Sequence, residues 1–290
     1  MVVATGYRSD PPRSQPRSRP RSQANWYLRD QSDGATVAVM AGTIENTTFI
    51  DSGTEQLPRV TTGRFGMIAA TPDDLPAMQE AARRAATALT QSGSAAFAKS
   101  WLGFRMSDTP RGMPEFSMVA VSALAADRDE LTSAWAEATT DLVGPERYDV
   151  EVEPVRATGA GWGVTVDSTA IRPLGPDEPV MTVITGDVYP EHLEAFVAAA
   201  APAVAQAYAD PAYLGGCGLV SDRMVDITSV SCWTSAQASR AYAYRAGAHR
   251  SAKDVDEANG WHDLPTAFFV TYRVLSSSGT LLGIDPFARA

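Results

Sequence analysis

The three histidines are the side chains with the widest chemical use in this chain, because an imidazole can bind a metal and can exchange a proton near neutral pH. His192, His249 and His262 lie far apart along the sequence, and no H-x-H, H-E-x-x-H or C-x-x-C motif is present. The spacing therefore does not predict a zinc site. Each histidine has to be interpreted from its own surroundings.

The two cysteines allow two interpretations. Cys217 and Cys232 fall on neighbouring predicted strands, and a turn centred near 224–225 would place them opposite each other. They could then form a strained, redox-active bridge, or remain two buried free thiols. Two cysteines cannot build a disulfide framework, so we expect a protein of the reducing cytoplasm.

Composition and charge exclude several classes of protein. The 290 residues are 44% hydrophobic and carry a net charge of -10, yet the Arg-rich and Pro-rich residues 1–24 are basic. We expect a disordered tail over residues 1–24, followed by an acidic body that repels nucleic acid. No apolar run of about 18 residues is present, so no membrane-spanning helix is predicted. The N-terminus also lacks the apolar region of a signal peptide.

The chain repeats a pattern of strand followed by helix start. Strand Arg64–Ala70 precedes Pro72–Met78, and strand Pro179–Gly186 precedes Pro190–Phe196, each helix start reading P-[DE]-x-L-x-A-apolar. Proline and acidic residues both favour the first turn of a helix. Each copy continues with a hairpin, a second helix and a closing strand, and Asp127 with Glu130 predicts a capping box at the start of the second helix of the first copy. The order β-α-β-β-α-β is that of a ferredoxin-like unit.

We therefore predict an α+β protein in which two tandem ferredoxin-like units form an intramolecular dimeric α/β barrel. The predicted division is a tail over 1–24, an N-terminal extension over 25–62, a first half over 63–178 and a second half over 179–290. The first helix of each half should bury one apolar face against its sheet. In the second half that face comprises Leu193, Phe196, Val197, Ala200, Val204 and Tyr208.

A motif in the second half resembles a known family. Trp233 ends a strand, residues 241–249 read A-Y-A-Y-R-x-x-x-H on a predicted helix, and Gly260-Trp261 precede the last strand. These features resemble the spheroidene monooxygenase-like proteins of the dimeric α/β-barrel superfamily. The resemblance extends over about residues 180–275 by motif and over residues 64–150 by fold pattern.

The resemblance implies haem b, with His249 as the axial ligand of the iron. Tyr242 and Arg245 precede His249 by seven and four residues, so all three can share one side of a helix. The resemblance thus implies that Arg245 binds a haem propionate and that Tyr242 and Trp233 complete the cofactor site. Two alternatives stay open. His249 could be an imidazolium at a helix C-terminus, and the thiolate of Cys232 could bind the iron instead.

The same resemblance also implies a function. The leading hypothesis is a haem-dependent oxidoreductase of the monooxygenase type that acts on a hydrophobic small molecule in secondary metabolism. Arg245, Tyr244 and His262 are the candidate catalytic residues. The alternatives are a haem-dependent dehydratase of the aldoxime dehydratase type, a cofactor-free barrel monooxygenase, and a non-catalytic barrel that binds a small molecule. We expect a monomer or a homodimer.

Overall fold

The structure is a computed structural model. It describes residues 28–29, 36–37, 56–106, 115–159, 161–166, 171–221, 224, 226–245 and 247–288. The predicted tail over 1–24 and most of the predicted extension over 25–62 lie outside the described residues. The chain divides into two compact units, Met1–Gly53 and Thr54–Ala290. In the smaller unit, strands β1 (Leu28–Arg29) and β2 (Thr36–Val37) pair antiparallel.

The larger unit contains the two predicted repeats in order. After the short strand β3 (Arg59–Val60), the first repeat comprises β4 (Thr62–Ala69), α1 (Leu75–Gln91), β5 (Phe97–Phe104), β6 (Phe116–Ala125), α2 (Arg128–Ala138) and β7 (Arg147–Gly159). A short strand, β8 (Thr165–Val166), pairs parallel with β3. The second repeat comprises β9 (Val180–Val188), a 3-10 turn (Pro190–His192), α3 (Leu193–Ala209), β10 (Tyr213–Val220), β11 (Asp226–Trp233), α4 (Ala236–Arg245), α5 (Gly247–Asn259) and β12 (His262–Gly279).

Strand pairing confirms the predicted fold. The first repeat has the strand order β7-β4-β6-β5 and the second has β12-β9-β11-β10, which is the same ferredoxin-like order. Strand β5 pairs antiparallel with β10, and β7 pairs antiparallel with β12. These two junctions close the eight strands into one barrel. None of the described helices is long and apolar enough to cross a membrane.

The barrel interior is one apolar core that both repeats share. Alternate residues of a strand point to opposite faces of a sheet, so every second residue of each strand enters the barrel. The inward side chains from both repeats are fully or almost fully buried, and include Phe65, Met67, Tyr148, Val183, Phe268 and Tyr272. The closed barrel therefore stabilises both halves at once.

Both cysteines lie inside this core as free thiols. Cys217 is opposite Val230, and Cys232 is opposite Gly215, so the two cysteines are offset by two residues in the hairpin register. The register that would place Cys217 opposite Cys232 is not formed because the turn is centred earlier, and of the two interpretations the buried free thiols are the one observed. Burial raises the pKa of the Cys217 thiol to about 12 and that of Cys232 further still.

In the first half the helices pack directly on the outer face of the barrel. The outward residues Val119, Val121 and Ala123 of β6 are completely buried beneath helix α1. Of the face predicted for α1, Leu75 is half-buried and the rest is buried, at Met78, Ala82, Ala85, Ala86 and Leu89. Helix α2 begins at the predicted cap, where Asp127 accepts a hydrogen bond of 2.9 Å from the Glu130 amide.

In the second half the helices close only part of the outer face of the sheet, where Val180 and Trp233 are buried with Ala207 of α3 and Ala236 of α4. Elsewhere several outward residues, Ile184 among them, are half-buried, and Phe269 of β12 is 46% exposed. The apolar face predicted for α3 is not closed either: only Leu193 of that set is buried, while Phe196, Val197, Ala200 and Val204 are half-buried. Helix α3 packs mainly on α5 instead of the sheet. We call the space between these half-exposed faces the interlayer cleft.

Because the two halves pack differently, two matched isoleucine substitutions should lower the free energy of unfolding by different amounts. Ile68 of β4 is 1% exposed, whereas Ile184 of β9 faces the interlayer cleft and is half-buried. Ile68→Ala should lower the free energy of unfolding by about 2–5 kcal/mol, since it leaves a cavity in a closed core. Ile184→Ala should cost about 1 kcal/mol. Urea denaturation measures both, and equal costs would show that the second half is packed like the first.

Candidate active site

The helix predicted to carry the motif is two helices. Helix α4 ends at Arg245 and α5 begins at Gly247. Glycine costs about 1 kcal/mol relative to alanine inside a helix, so the break falls at a favourable position. The Ala248 amide in the first turn of α5 donates a hydrogen bond of 3.1 Å to Oε1 of Gln206 on α3. This contact fixes the start of α5, and sequence analysis did not identify Gln206.

His249 therefore lies in the first turn of α5 and not at a helix C-terminus. The predicted alternative of an imidazolium stabilised by a C-terminal dipole is wrong for this reason. Nδ1 of the half-buried His249 is 3.1 Å from the carbonyl oxygen of Ala243. A carbonyl only accepts, so Nδ1 carries the hydrogen and Nε2 keeps its lone pair. Burial lowers the pKa of His249, with repulsion from Lys253 adding to this and the Ala243 hydrogen bond opposing it.

The rings of Tyr242 and Trp233 pack in series next to the ring of His249. The Tyr242 ring is 5.1 Å from the His249 ring and 4.9 Å from the Trp233 ring, measured between centroids. The Tyr242 hydroxyl donates a hydrogen bond of 2.7 Å to the carbonyl of Ala203 on α3, and burial raises its pKa to about 12. Trp233 is 1% exposed and donates from Nε1 to Ser231 Oγ at 3.0 Å. These contacts join α3, α4, α5 and the sheet.

His262 lies in a second cluster, beside another part of α3. Its Nδ1 is 2.7 Å from Oδ1 of Asp256 on α5, and its ring is 4.9 Å from the ring of Phe196 on α3. A Cβ atom on Gly186 would be 3.1 Å from Cδ2 of His262, so the imidazole covers this glycine on the outer face of β9. Asp256 was not among the residues predicted from the sequence. The sequence feature that could have indicated Asp256 is its position seven residues after His249, which places both residues on the same side of α5.

Two of the remaining predicted residues, Tyr244 and Cys232, have described side chains, and neither lies in these clusters. Tyr244 is 71% exposed on α4, so we do not include it in the site proposed below. The side chain of Arg245 lies outside the described residues. Cys232 points into the barrel, on the opposite face of the sheet from the interlayer cleft, and cannot replace His249 there.

The described residues fit a haem group at His249. One protein imidazole with a free Nε2 lone pair suffices, since the porphyrin supplies four nitrogen ligands of its own. The Nδ1 hydrogen bond to Ala243 is the second contact that fixes the tautomer of a ligating histidine. The half-exposed faces of Ile184 and Phe269 on one side, and of Phe196, Val197 and Ala200 on the other, offer the apolar surface that a flat macrocycle needs.

A separate polar cavity of about 350 Å³ lies at one mouth of the barrel, lined by Lys99, Gly161, Trp162, Thr185, Asp187, Ser221, Asp226 and Thr266. Lys99 of the first half forms an ion pair with Asp226 of the second half. Asp226 also accepts a hydrogen bond of 2.8 Å from Thr185, which in turn accepts one from Thr228 at 2.7 Å. This network links the halves, and it contains none of the residues predicted from the motif.

Comparison with known proteins finds likeness in structure only. No protein-family model and no curated protein matches the chain. Among solved structures, an aldoxime dehydratase covers 74% of this chain and 81% of its own length at 10% identity, with a TM-score of 0.49. An anthrone oxidase-like protein covers 79% and 96% at 14% identity, with a TM-score of 0.30. A monooxygenase-like protein from Listeria innocua covers 74% and 94% at 10% identity, with a TM-score of 0.28. The fold assignment therefore rests on the strand pairing described above.

The burial of His249 predicts how the unliganded protein responds to acid. Because the folded pKa lies below its usual value of 6.5, the unfolded chain takes up the proton first as the pH falls. The contribution of His249 to the free energy of unfolding should thus be lost between pH 6.5 and the lower folded pKa. Nuclear magnetic resonance titration of the His249 ring should give a midpoint below 6.5. The acid loss of stability should be smaller in His249→Gln, and an equal loss would contradict the assignment.

Proposed function

We propose that this protein is a haem-dependent enzyme of the monooxygenase type, with the interlayer cleft as its active site. The observation that carries the proposal is the half-buried His249, whose Nδ1 is held by the Ala243 carbonyl beside the interlayer cleft, whereas the described helices of the first half pack directly on their sheet. In this proposal Nε2 of His249 would hold the iron of the haem. Tyr242 and Trp233 support the ligand from behind, and Arg245 remains the candidate partner of a propionate.

The chain's own residues would hold the cofactor and exclude water. When bound, haem supplies the redox-active or Lewis-acidic centre. The Ala243 carbonyl keeps His249 neutral and fixes its ring plane, so the ligand is ready to bind. The ring contact of Tyr242 and its hydrogen bond to Ala203 hold that ligand against α3. A closed apolar surface around the centre strengthens each polar contact within it.

The surfaces of the cleft support a hydrophobic small molecule as substrate. The side chains of Ile184, Phe269 and Phe196 are apolar, while the nearby outward residues Thr182 and Ser229 carry hydroxyl groups. Such a mixture suits a largely apolar molecule with a few oxygen atoms. We place the reaction in secondary metabolism. Since one chain contains both barrel-forming units, we propose a monomer or a homodimer.

An absorption spectrum of protein expressed with a haem precursor tests the proposal. The wild-type protein should show a Soret band, and His249→Ala should lose or shift it, since the axial nitrogen is removed. His192→Ala is the matched control, because His192 lies at the start of α3, outside the two clusters around the cleft, and it should leave the band unchanged. A Soret band that His249→Ala does not alter would refute the axial role. The lack of any band after haem titration would refute haem dependence.

A second candidate function rests on the His262–Asp256 pair. An imidazole aligned by a carboxylate at 2.7 Å is the arrangement of a general base. Such a base could deprotonate an electron-rich phenol or quinol so that it reacts with oxygen without a cofactor. This candidate uses the same cleft but needs no metal. A haem dehydratase would bind its cofactor and substrate in the same cleft, and a non-catalytic barrel would bind its ligand there. Neither function requires this base.

Asp256→Asn tests the second candidate. The amide keeps the shape of the carboxylate but removes its charge, so oxidation of a phenolic substrate by haem-free protein should slow by about 10²- to 10⁴-fold. Asp254→Asn is the control, because Asp254 lies on the same helix and is solvent-exposed. The rates are measured as oxygen uptake. An unchanged rate in Asp256→Asn would show that the pair is not the base.

A further inference from the structure

Five rings lie in an unbroken series from the proposed axial ligand to the protein surface. We define the ring series as His249, Tyr242, Trp233, Tyr213 and Tyr208. The successive centroid separations are 5.1, 4.9, 5.1 and 5.1 Å, and the four interplanar angles range from 34° to 64°. All four are edge-to-face or tilted contacts between adjacent rings. The series crosses from α5 through α4 and the sheet to the C-terminal end of α3.

The two ends of the series differ in exposure. Trp233, in the middle, is 1% exposed, and Tyr242 and Tyr213 are half-buried. Tyr208 is 43% exposed, so the last ring reaches solvent. Tyr244 is more exposed, at 71%, but none of the ring contacts described for this protein includes it. Tyr244 is thus a comparison residue that is exposed but is in none of the described ring contacts.

From this geometry we infer that the ring series carries electrons between the surface and the cofactor site at His249. Electron transfer between π systems slows steeply with distance, and rings in contact exchange electrons far faster than rings separated by aliphatic side chains. Tyrosine and tryptophan are the side chains in the series that can be oxidised by one electron. The inference rests on the proposed haem function, because a strong oxidant at His249 is what would draw the electrons.

The role we assign to this electron path is to reduce an oxidant at the cofactor site when no substrate is bound. Reduction of one hydrogen peroxide to two waters consumes two electrons and two protons. In this scheme bound haem would supply one of these electrons. Tyr242 would supply the other and would be refilled through Trp233 and Tyr213 from Tyr208, and the proton that Tyr208 releases together with one further proton from solvent completes the two waters. Tyr208 releases its phenolic proton to solvent and becomes a neutral tyrosyl radical. The apolar surface of the cleft is thereby protected from oxidation.

The location of the radical tests the inference. Haem-loaded protein is treated with one equivalent of hydrogen peroxide and a nitroso spin trap, and the trapped residues are identified by peptide mass spectrometry. The adduct should form on Tyr208 and not on the more exposed Tyr244. Tyr213→Phe should abolish the Tyr208 adduct, because phenylalanine keeps the packing but is not oxidised. Tyr272→Phe, at a buried tyrosine inside the barrel, should leave the adduct unchanged.

The remaining outcomes separate the two proposals. A Soret band is recorded for each variant before peroxide is added, so loss of haem is distinguished from loss of the electron path. Tyr208→Phe removes one hydroxyl from a partly exposed ring and keeps the ring contact with Tyr213, so it should keep the fold and move the radical signal to Tyr213. A Tyr208 adduct that persists in Tyr213→Phe, or a principal adduct on Tyr244, would overturn the inference with haem intact. Absence of haem would overturn the proposed function and the inference together.

Discussion

Closure of the barrel is the constraint on which the rest of the structure depends. An isolated ferredoxin-like sheet has two unpaired edges, and the antiparallel junctions β5–β10 and β7–β12 remove the edges of both sheets. Closure also gives the two halves a common apolar interior. The backbone pairing at both junctions does not depend on how closely the helices approach the sheet. One layer of helices can therefore lie further from the barrel than the other.

Side chains of different size account for the difference between the two helix layers. In the first half, Ala82 and Ala85 meet the sheet directly, so α1 lies close to it. In the second half, larger side chains hold α3 away at two points. Tyr242 lies against Trp233 and bonds to the backbone of α3, while His262 covers Gly186 beneath Phe196. The gap between these two supports is the interlayer cleft.

Much of the fold could be predicted from sequence, because it follows local patterns. The repeated helix starts, the hairpins and the cap at Asp127 correspond to observed elements. The spacing between layers could not be predicted. Helices α1 and α3 both present apolar residues at helical spacing, and this spacing alone does not say whether the helix face contacts the sheet. The break before Gly247 and the partners of His249 and His262 depend on tertiary contacts, which neither spacing nor composition records.

The open cleft has an energetic consequence that argues for an occupant. Burial of apolar surface stabilises the folded state by about 25 cal/mol for each Å², and this free energy is missing where apolar surface stays in contact with water. A molecule that covers Ile184, Phe269 and Phe196 recovers this free energy, and it stabilises the folded state by mass action. His249 and Asp256, the partner of His262, lie on one side of α5 about 10 Å apart at 1.5 Å per residue. The cleft thus presents two imidazoles with different partners. A carbonyl keeps His249 suited to metal binding, whereas a carboxylate suits His262 to proton transfer, so a cofactor at one and a substrate at the other would use both.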